Sequence, residues 1–62
     1  MNYDEIKAGF RTVRRLIVKN DMEAADAMVR HLFKHGATHN DMTFNLTEEE
    51  FLALREFSRE AK

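Results

Sequence analysis

Residues 2–20 read NYDEIKAGFRTVRRLIVKN, and this stretch decides the fold class. Tyr3, Ile6, Phe10, Val13 and Ile17 follow one another at spacings of 3, 4, 3 and 4. At about 100° per residue that rhythm sets all five on one face of a helix. Asn2 opens the stretch and Glu5 stands three residues after Asn2, which is the grammar of a capped helix start. Asp4 and Glu5 put negative charge in the first turn, where the helix dipole favours it.

The same grammar recurs twice. Asn20 precedes Asp21-Met22-Glu23, and Thr47 precedes Glu48-Glu49-Glu50. Leu46 before Thr47 and Phe51 four places after it add a hydrophobic staple. Helices are expected at about 3–19, 21–35 and 48–60. The second carries Met22, Ala25, Val29 and Leu32, flanked by Met28 and Phe33, and stops at Gly36 with Lys34 and His35 in its last turn. The third carries Phe51, Leu54, Phe57 and Ala61. The first two meet at Asn20 as a tight αα corner or a bend. Between Gly36 and Thr47, Met42, Phe44 and Leu46 alternate with polar residues, as in a strand. That segment reads as an extended, core-covering loop or as a short strand pairing with its copy in a dimer. The expected fold is thus mainly all-α. One small domain over 1–62 holds an αα corner, an extended segment or short strand, and a C-terminal helix.

Composition narrows the rest. With 62 residues the chain is one domain, and a core of that size is marginal alone. There is no cysteine, so neither a disulfide nor a thiolate-bound metal can help, and self-association as a homodimer is an expected remedy. Fifteen residues are Leu, Ile, Val or Phe, above the fraction of roughly 20% that marks disorder. No apolar run approaches the roughly 18 residues of a membrane span, and an acidic N-terminus without an apolar stretch is no signal peptide. A cytoplasmic location fits. Gly9 and Gly36 are the only glycines, too few and too far apart for a phosphate-cradling loop.

Charge is unevenly distributed. Residues 1–20 hold two acids against five bases, and Lys7, Arg11, Arg14, Arg15 and Lys19 run without an interrupting acid. They share an arc well away from the Tyr3–Ile17 stripe. Guanidinium groups there suit phosphates, acidic protein surfaces or plain solvation opposite the acidic last helix. A pI of about 6.3 and the lack of an aromatic on the arc weigh against DNA. So does topology. A ribbon-helix-helix reader needs its strand first, and the Asn20 junction is too short for a helix-turn-helix.

Three histidines form a second constellation. His31 and His35 are spaced i, i+4, and His39 follows. Such a pair can hold a metal with His39 or Asp41 as third ligand, can make a pH-sensitive contact, or can simply favour the helix dipole. The acid of a zinc-protease motif is missing, because Leu32 follows His31. Glu48, Glu49, Glu50, Glu56 and Glu60 read as solvated helix charge rather than catalytic pairs, and Ser58, the only serine, has no base near it in sequence. No catalytic residue and no cofactor is implied. Leu16 and Val18 flank the first helix's core face, and Leu52 lies opposite that of the third. With Met1, Met22, Met28 and Met42 they suggest apolar surface beyond one monomer's core.

In gross character the chain resembles the small helical accessory proteins of phages and other mobile elements, although no motif carries that likeness. The expected function is a small non-enzymatic module that regulates or inhibits a protein partner by surface occlusion. Its contact residues would be Lys7, Arg11, Arg14, Arg15, Lys19, Leu16 and Leu52. The alternatives are a nucleic-acid-binding regulator using the same arc as a dimer, and a metal- or pH-responsive module at His31, His35 and His39.

Overall fold

The computed structural model of the chain describes residues 2–60. They form four helices, α1 Tyr3–Val18, α2 Met22–Lys34, α3 His39–Asn45 and α4 Glu48–Glu60, and no strand occurs among them. The fold is all-α, with one helix more than the sequence led us to expect.

The helix ends explain the layout. Asn2 Oδ1 accepts the Glu5 amide at 2.9 Å and opens α1. At the other end Asn20 adopts a φ of 62°, the left-handed region that Asn tolerates better than most residues. Its amide donates to Ile17 O at 2.9 Å, and the Asp21 amide donates to Leu16 O at 2.8 Å. This is a Schellman closure. Asp21 then caps α2, accepting the Ala24 amide at 3.3 Å. Asn20, expected to open the second helix, therefore ends the first, and the acid after it takes the capping role. That double use of adjacent residues is why the corner needs no longer connector. The second Schellman closure ends α2. Gly36 has a φ of 109°, its amide donates to Phe33 O, and the Ala37 amide donates to Leu32 O at 2.9 Å.

The extended segment or strand expected at Met42–Leu46 is instead α3. Thr38 and Asp41 form a reciprocal capping box: the Asp41 amide donates to Thr38 Oγ1 at 3.2 Å, and the Thr38 amide donates to Asp41 Oδ2 at 3.0 Å. Met42 and Leu46 are both buried, one helical turn apart, while Phe44 between them is 80% exposed. Alternation over three apolar residues has the same pattern as an i, i+4 pair with an outward residue between. The cap decides between them, because it satisfies the amides of a helix start.

α4 begins as expected. Thr47 Oγ1 accepts the Glu50 amide at 3.2 Å, and Glu50 Oε1 accepts the Thr47 amide at 2.8 Å. Leu46 is buried and Phe51 packs partly against the core beside it. Each such cap contributes about 1 kcal/mol.

The core is built from one copy. Ile6, Phe10 and Val13 of α1 meet Ala25, Val29 and Leu32 of α2, closed by Ala37, Met42, Leu46 and Leu54. α1 packs chiefly on α2 and also touches α3, while α4 lies against α2 and α3. The Cα radius of gyration is 10.6 Å, against roughly 10.5 Å for a compact chain of this length. Gly9 marks the close approach of α1 and α2. A Cβ there would meet Leu32 Cδ1 and Cγ at 3.1 and 3.2 Å, and Cδ2 closer still. Ala61 of the expected stripe and Met1 lie outside the described residues. Met22 and Met28 pack against the core and Met42 belongs to it, so these methionines fill the monomer.

Candidate protein-interaction surface

The outward face of α1 follows from its inward face. With Ile6, Phe10 and Val13 buried, Lys7, Arg11, Arg15 and Lys19 lie about 90° or more around the helix from that face and Arg14 about 70° from it, and all five are exposed. They differ in what they meet. Arg14 Nε donates to both Glu50 oxygens, at 3.1 and 3.2 Å, tying α1 to the start of α4. Lys7, Arg11, Arg15 and Lys19 have no carboxylate within ion-pair distance among the described residues. Arg15 and Lys19 also sit where the helix dipole favours positive charge.

Glu50 holds three interactions at once. Burial pushes its carboxyl upward. The Thr47 amide, the Arg14 guanidinium and the Thr47 hydroxyl outweigh that, and its pKa lies below the ordinary glutamate value. The carboxylate serves the cap and the α1–α4 link together.

Arg11, Arg14, Arg15, Val18, Lys19 and Glu50 line an open depression of about 340 Å³. Val18 is 82% exposed and falls within the cationic arc, not beside it. An apolar side chain ringed by charged ones is, in miniature, the anatomy of a protein interface. Leu16, expected as a further contact residue there, is half-buried and packs against the core. Leu52 lies apart from this depression, 45% exposed on the outside of α4.

The histidines do not converge. The His31 and His35 rings stand 4.4 Å apart, but His39 packs edge-on against Phe51 at 5.6 Å. Asp41, the other candidate third ligand, is engaged with Thr38. Among the described residues no group of three His, Asp or Glu comes together to hold an ion. His39 belongs instead to an apolar groove of about 310 Å³ between α2 and α4, lined also by Val29, Phe33, Met42, Phe51 and Leu54. Ser58 lines that groove.

No protein-family model, curated protein or solved structure matches this chain. The geometry alone therefore carries the functional reading. Within it, two features escaped sequence reasoning. Val18 was placed beside the core stripe, although at about 100° per residue it falls between Lys7 and Arg11 on the arc. The Arg14–Glu50 pair joins residues 36 positions apart, and no local pattern marks such a partner. The α2–α3 connection has the length of a helix-turn-helix turn, but α3 (HNDMTFN) carries no Lys or Arg to meet phosphate. No helix of the described residues is long and apolar enough to cross a membrane.

Proposed function

We propose that this chain is a small non-enzymatic protein-binding module that covers an acidic surface of a protein partner with the outward face of α1. Arg11, Arg15 and Lys19 steer and orient the partner, Lys7 extends the positive field, and Val18 is the apolar contact that becomes buried. Arg14 is shared with Glu50 and positions the depression's edge. Covering that partner surface is how the module would regulate or inhibit it. The observation that carries this reading is the exposed Val18 inside a ring of cations, three of them without an internal partner among the described residues. An apolar centre is of little use against phosphates and of direct use against a protein.

The test uses two labelled probes, an acidic amphipathic helical peptide and a random-sequence DNA duplex, titrated at low and near-physiological salt. Binding of the peptide that weakens at least tenfold in both Val18→Ser and the Arg11→Glu, Arg15→Glu variant supports the proposal. Tight duplex binding that falls steeply with salt and is indifferent to Val18→Ser contradicts it, because counterion release at phosphates needs charge and no apolar contact. That outcome would assign the face to nucleic acid.

A further inference from the structure

The outside of α4 repeats the arrangement on α1 with the opposite sign. Leu52 is 45% exposed, with Glu48 and Glu49 four and three residues before it and Glu56 four after it, all three exposed. Val18 is 82% exposed, with Arg14 and Arg15 four and three residues before it, Arg11 one turn further back, and Lys19 beside it. On a helix the offsets of three and four place those charges beside the apolar residue. Arg55, exposed three residues after Leu52, is the one cation among these neighbours, and Arg59 follows one turn later, so the negative field is strongest at Glu48 and Glu49 in the first turn. The positive field of α1 is centred on its last two turns. One face is an exposed aliphatic side chain among cations, and the other is an exposed aliphatic side chain with three carboxylates and one guanidinium around it, net negative.

The two faces cannot satisfy each other within one copy. Glu50, which does reach α1, is about 200° around α4 from Leu52, and the Arg14–Glu50 pair fixes that side of α4 toward α1. Leu52, Glu48 and Glu49 therefore turn away from their own α1. We infer that the cationic outer face of α1 docks on the acidic outer face of α4 in a second copy of the chain, Val18 against Leu52. This rests on reading α1's outer face as a protein-binding surface. It names the chemistry that face recognises: a helix presenting a leucine between glutamates. The contact joins two different patches, so each copy offers one donor face and one acceptor face, and assembly closes into a ring or continues as a chain.

The experiment is sedimentation of the full chain over a range of concentrations at low salt, with two charge-reversed variants. Arg11→Glu, Arg15→Glu makes both faces acidic, and Glu48→Lys, Glu49→Lys makes both basic. The wild type should gain mass with concentration and lose that gain at roughly 1 M salt, where screening is complete within about 3 Å. Each variant alone should associate at least about tenfold more weakly, since like charges then face each other. An equimolar mixture should regain association, because the acidic α1 of one variant meets the basic α4 of the other. Rescue on mixing also shows that both variants are folded. A wild type that stays monomeric at every concentration overturns the inference, as does a variant that assembles like the wild type. If that monomer still binds the acidic peptide, only the self-association is lost and the function proposed above stands.

Discussion

The two sides of α1 do different physical work. On the inner side Phe10 and Val13 are fully buried and Gly9 lets Leu32 approach the backbone. On the outer side Val18 is 82% exposed, and of the five cations only Arg14 has an ion-pair partner among the described residues. The inner side sets the fold at the cost of tolerating almost no change. The outer side contributes little to the fold, so its sequence is available for another task. That cationic, apolar-centred face is the one the proposed function assigns to a partner.

Substitutions sharpen this contrast in descending order. Phe10→Ala removes a fully buried ring and should cost about 3–5 kcal/mol, a large share of the stability of so small a domain. The expected readout is loss of a cooperative thermal transition. Val18→Ser should change stability by less than about 0.5 kcal/mol in the same melt. If both variants melt alike, the division of α1 into two sides is wrong.

Gly9→Ala probes the inner side more finely. Alanine favours the helix by about 1 kcal/mol, but its Cβ would press on Leu32, a side chain 1% exposed whose methyls must shift within the packed core to admit it. Overpacking of this kind costs about 1–3 kcal/mol. A net loss of about 1 kcal/mol is expected in urea unfolding. A raised midpoint would show that the α1–α2 contact is looser than it looks.

The Arg14–Glu50 pair separates the cations from one another. A double-mutant cycle with Arg14→Ala and Glu50→Ala should give a coupling of about 0.5–1 kcal/mol. The cycle of Arg11→Ala with Glu50→Ala should give none. Acidification reads the same carboxylate. Its folded pKa is lowered, so its contribution is fully present above the ordinary glutamate value of 4.5 and is lost as pH falls through the folded value. In Glu50→Gln the acid limb of the stability profile should flatten below pH 4.5 relative to wild type. Equal acid sensitivity in the two proteins would mean that other carboxylates carry the loss.

Much of this was legible in the sequence, for identifiable reasons. The α1 stripe and the Thr47–Glu50 cap are local patterns, and both are seen in the structure. The helix at His39–Asn45 was not, because Asp41 is a less familiar partner than glutamate in a capping box and the apolar alternation is ambiguous over three residues. Asn20 could serve as a cap or as a left-handed terminus, and only the position of Asp21 in space decides it. At the candidate surface, periodicity exposed the cationic arc. It could not say that Arg14 is engaged by Glu50, that Leu16 is packed inward, or that His39 meets Phe51 instead of the other histidines. Those are long-range facts, fixed by how α3 and α4 fold back on α1 and α2.

The most direct test of the central claim is amide chemical-shift mapping of the isotopically labelled chain as the acidic helical peptide is added. The expected result is a continuous set of perturbations along the outer side of α1 from Lys7 to Asn20, strongest around Arg15 and Val18, with Ile6, Phe10 and Val13 nearly unchanged. Perturbations centred on the groove between α2 and α4, at Phe33, Met42 and Phe51, with the outer side of α1 silent, would contradict it and move the binding surface to the other side of the molecule.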